Sequence, residues 1–346
     1  MNSTGDYEYY EYIYYGTNDN SHNKGNELSK WVKITSAFLM LPIIVLGVLG
    51  NLLTLLVFLT RERRKSSIGI YLSALAIADI LVLTLPGMEF WLITVHHKYI
   101  RDSSDLLCKL FSFVTPALAC LSAWILVALS IERMLRVCAP LKMNVLSKPK
   151  HAIFAVAAVT VTVSAIFLPL ISGSSLEKFG NMSICLYIDE SIFTPEAFTA
   201  LDMTFLFAAP FLIMLINNSI ILVKVAGCVE RYCGKSRESN TVRNSPRHQR
   251  MLKTITRRVI LLCVTYMTCN APLMILNAIG SSTNYDQLSP LFHNLNFMFH
   301  ILLYLNNSIN FLLYCLIGSS FRNDCLKMMS SFMRKLCALC HIGTYK

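Results

Sequence analysis

The residues of this chain best suited to chemistry are an adjacent acid and base, Glu132 and Arg133, at the end of a long apolar run. A charged side chain at membrane depth costs roughly 2.5–3.5 kcal/mol on insertion scales, so such a residue usually has a function. A carboxylate beside a guanidinium can hold the arginine in one rotamer and release it when the carboxylate is neutralised. The pair is therefore predicted to act as a latch. The alternative is an ordinary helix flank whose charged ends reach the membrane surface.

The elements that must position this pair are predicted to be membrane-spanning helices. The chain has 346 residues, of which 54% are hydrophobic and 15% are charged, whereas a soluble domain has about a quarter charged residues. The apolar residues form seven runs of about 20–30 residues, each long enough to cross a bilayer. These runs cover roughly 34–60, 68–94, 106–137, 151–172, 197–226, 252–280 and 290–317. The sequence predicts an all-α membrane protein, a seven-transmembrane helix bundle over residues 34–317.

The two ends of the chain are predicted to lie outside this bundle. Residues 1–33 are polar, lack apolar periodicity and carry a glycosylation sequon at Asn2, which predicts a disordered N-terminal tail. Residues 318–346 are predicted to form a short amphipathic eighth helix on the membrane surface, followed by a short cytoplasmic tail. Three cysteines there are candidates for palmitoylation: Cys325, Cys337 and Cys340.

The distribution of charge predicts which side of the membrane each loop occupies. With the N-terminus outside the cell, 24 of the 31 Lys and Arg residues fall on the inside, as the positive-inside rule requires. In this orientation Cys108 and Cys185 are the two of the twelve cysteines that reach the oxidising compartment. Such a pair is best explained as one disulfide.

Every predicted span except the fourth carries a short motif: Gly50-Asn51 in the first span, Asp79 in the second, Cys108 and Glu132-Arg133-Met134 in the third, Pro210 in the fifth, Cys269-Asn270-Ala271-Pro272 in the sixth, Asn310-Phe311-Leu312-Leu313-Tyr314 in the seventh and Phe321-Arg322 in the eighth helix. These motifs resemble those of the rhodopsin-like (class A) G protein-coupled receptors, and the resemblance covers nearly the whole chain. The chain is most similar to neuropeptide-type receptors. The resemblance implies a multi-pass plasma-membrane receptor with an extracellular N-terminus and no enzyme activity.

The resemblance also implies a role for each of three groups of residues. Coupling to a G protein and the activation switch fall to Glu132, Arg133, Asn270, Pro272, Asn310 and Tyr314. An allosteric sodium ion, the one cofactor implied, would lie among Asp79, Ser122, Asn306, Asn310 and Asn51. Oxygen ligands suit such a hard cation, and the alternative for Asp79 is a neutral, protonated acid. The ligand-binding set is Glu89, Thr115, Asp202, Asn277, His300 and Tyr304.

Four positions depart from the family's pattern. The sixth-span aromatic switch is Asn270, the seventh-span proline is Phe311, the fifth-span tyrosine is Asn218, and the last residue of the arginine motif is Met134. A proline removes a helix hydrogen bond and kinks the helix, so Phe311 predicts a straighter seventh helix. These changes favour an altered switch within an unchanged fold.

The outer end of the predicted bundle and the N-terminal tail are both acidic, which favours a cationic ligand. A basic or amidated peptide fits best, with a heterotrimeric G protein and arrestin as intracellular partners and no role for nucleic acid. His300 and Tyr304 would also fit hydrogen bonds between helices, and Glu89 and Asp202 would also fit simple solvation. The alternatives for the whole protein are a non-coupling decoy or scavenger receptor and a chemosensory receptor for a small molecule. A transporter or channel fits less well, because the sequence has no internal repeat.

Overall fold

The structure of this chain, a computed structural model, describes residues 30–60, 66–96, 98–139, 148–179, 182–188, 195–235, 246–281, 290–317, 321–328, 330 and 334. Within these ranges seven helices are long and apolar enough to cross a membrane. In chain order the spans are Lys30–Phe58, Ser67–His96, Asp105–Cys138, Pro149–Gly173, Ala200–Lys224, Ile260–Gly280 and Asn294–Leu316. We number them first to seventh. The predicted number and order of the spans are confirmed.

Three spans are interrupted, and prolines mark the interruptions. The second consists of Ser67–Thr84 and Pro86–His96, the fourth of Pro149–Phe167 and Pro169–Gly173, and the fifth runs through Pro195–Asp202, a π-helix at Met203–Ala208, and Ala209–Lys235. The sixth span lies within the helix Pro246–Ser281 and the seventh within Pro290–Ile317. A proline has no N–H to donate, so the preceding turn loses a hydrogen bond and the helix breaks or widens.

Local sequence sets where two of the helices begin. The Ser66 hydroxyl accepts a hydrogen bond from Gly69 N at the start of the second span, and the Ser104 hydroxyl accepts one from Leu107 N at the start of the third. Serine is favoured at this position because its side chain satisfies a backbone N–H that has no partner within the helix.

The π-helical turn of the fifth span is joined to the third and sixth spans through its carbonyl groups. The Trp124 indole N–H donates to Phe205 O at 2.9 Å, and the Tyr266 hydroxyl donates to Leu206 O. In the π pattern Phe205 O would take its bond from residue 210, but Pro210 has no N–H. Because an unsatisfied carbonyl in lipid costs several kcal/mol, the indole supplies a donor that the helix lacks.

A two-stranded antiparallel hairpin covers part of one end of the bundle. Its strands are β1, Ser174–Phe179, and β2, Met182–Tyr187, and they place Leu176 opposite Cys185. Cys185 forms a disulfide with Cys108 at the start of the third span. The predicted disulfide is confirmed, and the loop that it ties down is a hairpin. We call this side of the bundle the disulfide end and the opposite side the Arg133 end.

Residues 321–328 form a helix after the seventh span, as predicted. Phe321 is fully buried and belongs to the main hydrophobic core. Its ring lies 5.5 Å from the ring of Phe58, 5.6 Å from that of Tyr314 and 6.0 Å from that of Phe311. Phe321 thus fixes this helix to the bundle by packing against aromatic rings of the first and seventh spans.

One predicted lipidation site is buried. Cys325, one helical turn after Phe321, is buried in the same core. Palmitoylation of Cys325 would therefore require this helix to open, and it stays a prediction. The other two candidates, Cys337 and Cys340, and the sequon at Asn2 lie outside the described residues.

The seventh helix runs without interruption from Pro290 to Ile317. Phe311, at the position where the family has a proline, packs against Gly50 of the first span. A Cβ on Gly50 would lie 2.8 Å from the Phe311 Cβ, which is too close for any side chain there. The bulky residue is therefore accommodated by a glycine on the neighbouring helix.

Candidate functional site

The Arg133 end contains the expected acid–base contact. Glu132 Oε2 accepts a hydrogen bond from Arg133 Nη2 at 2.7 Å, and both residues are buried. Glu132 Oε1 accepts from Arg136 Nη2 at 2.9 Å and from the Ser67 hydroxyl at 2.5 Å. One carboxylate therefore holds two arginines of its own helix and the start of the second span. The contact on which the predicted latch depends is therefore present, and the latch itself stays a prediction.

The fifth span meets the third near this contact through Asn217. Asn217 Nδ2 donates to the Ser130 hydroxyl at 3.0 Å, and that hydroxyl donates to Val127 O. Asn218, at the position of the family's tyrosine, is buried, and its Oδ1 has no hydrogen-bond partner within the described part of the chain.

The residues assigned to the sixth-span and seventh-span switch make local contacts. Asn270 is buried and donates to Tyr266 O in its own helix at 2.8 Å. Pro272 lies inside that helix. Tyr314 is buried, with its ring 6.1 Å from that of Phe58. A side chain at 270 that bonds its own helix is a different arrangement from an aromatic ring packed between helices.

A polar cluster in the middle of the bundle surrounds Asp79. Its Oδ1 accepts from the Ser122 hydroxyl at 2.8 Å and its Oδ2 accepts from Asn310 Nδ2 at 2.6 Å. The Ser122 hydroxyl also lies 3.4 Å from Asn307 Oδ1. Asn51 Nδ2 donates to Asn307 O at 2.8 Å. Asp79, Ser122 and Asn310 lie together, as predicted from the sequence.

Asn307 takes the place in this cluster that the sequence analysis gave to Asn306. Asn306 is half-buried, and no hydrogen bond joins it to Asp79 in the described structure. Both asparagines lie within one helical turn of Asn310, three and four residues away, so spacing alone does not choose between them. The rotation of the seventh span selects Asn307.

The cluster suits a hard cation by its chemistry. It offers a carboxylate, a hydroxyl and amide oxygens, which are the ligands that sodium prefers over nitrogen or sulfur. Asn51 Oδ1 is a buried oxygen with no hydrogen-bond partner in the described residues. An unsatisfied buried acceptor is a group that an ion or a water molecule would complete.

At the disulfide end Glu89 is paired within the protein, whereas the sequence predicted a ligand contact or simple solvation. It is 2% exposed and Arg101 is 6% exposed. Arg101 Nη2 donates to Glu89 Oε2 at 2.8 Å, and Arg101 Nε donates to Oε1 at 3.1 Å. The carboxylate is neither solvated nor available to a cationic ligand, because a bidentate guanidinium occupies both of its oxygens. No pattern in the sequence indicated this partner, because the two residues are twelve positions apart and a turn separates them.

Three other predicted ligand residues are engaged in contacts within the protein. The Tyr304 hydroxyl donates to Pro86 O at 3.1 Å, joining the seventh span to the second. Asn277 Oδ1 accepts from Asn296 Nδ2 at 2.8 Å, joining the sixth span to the seventh. His300 Nδ1 lies 2.8 Å from Asn296 O, and its ring stacks on Phe90 at 5.7 Å. The alternative of hydrogen bonding between helices is present for Tyr304 and Asn277.

Thr115 and Asp202 remain without partners among the described residues. Thr115 Oγ1 is a buried atom with no hydrogen bond. Asp202 is half-buried just before the π-helical turn, and it makes no hydrogen bond or salt bridge to any described residue. Within the described spans Glu89, Asp79 and Glu132 are each paired or hydrogen-bonded. Asp202 is the exception among them.

Comparison with known sequences identifies the family. The model of the family described as 7 transmembrane receptor (rhodopsin family) matches residues 50–314, which is most of the chain. The chain belongs to this rhodopsin family of seven-transmembrane receptors. Proteins of this family are multi-pass receptors of the plasma membrane and are not enzymes.

Individual relatives are distant and include neuropeptide receptors. The Allatostatin-A receptor of Bombyx mori is 23% identical over 291 residues, which cover 82% of this chain and 76% of that receptor. The Somatostatin receptor type 5 of Rattus norvegicus is 25% identical over 292 residues, covering 84% and 76%. G-protein coupled receptor 39 of Mus musculus is 30% identical over 163 residues, covering 46% of this chain. The chain spans about a third (36%) of that receptor's length.

Proposed function

We propose that this receptor binds a cationic ligand, a small basic or amidated peptide, at its disulfide end and activates a heterotrimeric G protein at its Arg133 end. The observation that carries the ligand class is the state of the acids. Glu89 is neutralised by Arg101, whereas Asp202 has no partner in the described structure. An unpaired carboxylate within a membrane span is costly unless a cation meets it. The neuropeptide receptors among its relatives support a peptide.

In this proposal the N-terminus and the disulfide end face the outside of the cell. The disulfide itself supports that placement, because disulfides persist in oxidising compartments. The ligand shifts an equilibrium between two conformations by binding one of them better. In the favoured conformation Glu132 releases Arg133, and the inner end of the sixth span moves about Pro272 to admit the G protein. Arrestin would use the same opened surface.

The test starts with G-protein activation in cells that express the full chain, screened with basic and amidated peptides. Arg133→Ala should abolish any response while leaving ligand binding intact. Asp202→Asn should raise the concentration of peptide for half-maximal response by about tenfold or more, since a hydrogen bond to a charged group contributes about 1.5–3 kcal/mol.

The matched control uses the peptide rather than the receptor. The control peptide carries a neutral side chain of similar length in place of the basic one. For this peptide, Asp202→Asn should not raise the concentration for half-maximal response. An equal loss for both peptides would show that Asp202 does not meet the cation.

A decoy receptor, which binds a ligand without coupling, is the second candidate. Two features favour it: Asn270 bonds its own helix, and Phe311 stands in place of the seventh-span proline. The closed but intact Glu132–Arg133 latch favours coupling, because a receptor that never couples has no need to retain it. Peptide binding without G-protein activation in the same screen would establish the decoy.

We also propose that a sodium ion binds at the Asp79 cluster and favours the inactive conformation. An ion that prefers one conformation lowers the affinity of a ligand that prefers the other. Replacing sodium by N-methylglucamine should raise agonist affinity in the unaltered chain, and Asp79→Asn should abolish that dependence. Asn306→Ala serves as a control that should retain it, whereas Asn307→Ala should weaken it. Sodium dependence that survives in Asp79→Asn would rule out this site.

A further inference from the structure

The disulfide hairpin is held to the rest of the bundle by more than its disulfide. Asp102 Oδ1 accepts a hydrogen bond from Cys185 N at 2.8 Å, and Asp105 Oδ1 accepts one from Leu176 N at 3.2 Å. Both acids lie where the chain turns into the third span, so each strand of the hairpin is bonded there. Burial raises the pKa of the Asp102 carboxyl, and the donation from Cys185 opposes that rise.

This turn is itself fixed by one buried ion pair. Arg101 is the first residue of the short 3₁₀ helix Arg101–Ser103, immediately before Asp102. Its guanidinium binds Glu89 through two hydrogen bonds, and its backbone N–H donates to Glu89 Oε1 at 3.3 Å. A path of direct contacts therefore runs from Glu89 in the second span through Arg101 and Asp102 to Cys185.

The segment that carries Glu89 also supports residues of the proposed ligand-binding end. Tyr304 donates to Pro86 O, and Phe90 lies against His300 and Tyr304 with ring centroids 5.7 Å and 5.5 Å apart. Pro86–His96 thus contacts Arg101 through Glu89 and the seventh span through Pro86 and Phe90. None of these rings takes part in the contact with Arg101.

Burial makes this ion pair different from its exposed neighbour. Lys109 and Asp105 form a salt bridge of 2.6 Å whose side chains are 36% and 51% exposed. Water can replace either partner there, so the pair contributes little. Removing one partner of Glu89–Arg101 instead leaves a buried charge alone, which is strongly destabilising, whereas removing both charges is far better tolerated.

We propose that the Glu89–Arg101 pair is a positioning device for ligand recognition. It holds the disulfide hairpin in place at the ligand-binding end and does not contact the ligand itself. This inference rests on the proposed function and assigns a different task to Glu89 from the direct ligand contact expected from the sequence.

The first test needs no ligand and uses hydrogen exchange on the purified full chain in detergent. Glu89→Gln and Arg101→Gln should each speed exchange at the amides of Leu176 and Cys185 by about tenfold or more, because the hairpin opens locally. Amides in the middle of the third span should exchange as before. Lys109→Ala, the exposed-pair control, should change exchange at the Cys185 amide less than about twofold. The Leu176 amide is left out of this comparison because it donates to Asp105, the partner of Lys109.

The double variant Glu89→Gln/Arg101→Gln makes the test sharper. Because it leaves no buried charge unpaired, its hairpin should exchange more slowly than in either single variant. Unchanged exchange in both single variants would overturn the link between the pair and the hairpin. That link would also be overturned if the increase in hairpin exchange in the double variant equalled the sum of the increases in the two single variants.

The second test measures recognition with a peptide that activates the unaltered chain. At matched surface expression, each single variant should raise the peptide concentration for half-maximal response by about tenfold and leave the maximal response unchanged. The double variant should regain part of the lost potency. A loosened hairpin with unchanged potency overturns the role in recognition. If no basic or amidated peptide activates the unaltered chain, the proposed function fails and the recognition role with it. In that case the hydrogen-exchange experiment still tests whether the Glu89–Arg101 pair holds the hairpin.

Discussion

At the scale of single residues, the main result is that the acids of this receptor have different tasks. Asp79 organises a polar cluster, Glu89 binds a turn, Glu132 holds two arginines, and Asp202 has no partner in the described structure. All four acids lie in apolar spans, so their sequence surroundings do not distinguish them. Their partners, which come from distant segments or from neighbouring helical turns, distinguish their roles.

The latch gives a prediction at this scale. Glu132→Gln keeps the shape of the side chain but removes its charge, which weakens its bonds to Arg133 and Arg136 by roughly 1 kcal/mol. That change should raise basal G-protein activation about fivefold, since 1 kcal/mol is a factor of about five in an equilibrium. Basal nucleotide exchange in membranes at matched expression measures it. Glu132→Asp keeps the charge, so it should raise basal activation less than Glu132→Gln does. Equal effects of the two variants would contradict a charge-based latch.

At the scale of elements, the fifth span shows how a helix irregularity can connect three helices. Pro210 removes one backbone donor, and Trp124 and Tyr266 donate to two carbonyls of the π-helical turn. The irregular turn is tolerated because neighbouring helices satisfy its backbone groups. The third, fifth and sixth spans are therefore joined just below Asp202, between the proposed ligand site and the latch.

The hydroxyl of Tyr266 allows this junction to be tested. Tyr266→Phe removes only the donor to Leu206 O and should lower the free energy of unfolding by about 1 kcal/mol, as interhelical hydrogen bonds in membranes do. Thermal unfolding of the purified chain in detergent measures the change. Thr268→Val is the matched control, because the Thr268 hydroxyl is exposed and bonds only Val264 O of its own helix. Equal shifts for the two variants would show that the junction carries no special stability.

The helix at residues 321–328 gives the second prediction for an element. Phe321→Ala should lower the free energy of unfolding by about 3–5 kcal/mol, because it empties a buried aromatic site. Leu326→Ala is the control, since Leu326 is 58% exposed and a surface change there should stay within about 0.5 kcal/mol. Thermal unfolding of both variants checks the difference. Comparable losses would mean that this helix is held by its outer face rather than by Phe321.

At the scale of the whole molecule, the proposed orientation can be tested with inserted epitopes. A tag at the N-terminus should be labelled by antibody on intact cells, and a tag inserted between residues 236 and 245 should be labelled only after permeabilisation. The reason is the excess of Lys and Arg on the loops of the Arg133 end. The two tags are each other's control, and labelling in the opposite order would reverse the proposed topology.

The sequence by itself determined the number of spans, their order, the family and the disulfide. These features depend on local or one-dimensional properties: the length of an apolar run against the thickness of a bilayer, the side on which lysines and arginines collect, the compartment where cysteines oxidise, and the short motifs whose resemblance to the family's indicated the family. Each can be deduced without knowing how the helices rotate. For the same reason the contact between Glu132 and Arg133 could be predicted, since the two are neighbours in the chain.

Tertiary structure alone decided which polar groups meet. It chose Asn307 over Asn306, paired Glu89 with Arg101, and buried Cys325 in the core. All three outcomes depend on how far each helix is rotated about its axis and on how a turn folds back on its span. That rotation is set by packing against neighbours that are distant in sequence, so spacing along one helix cannot supply it.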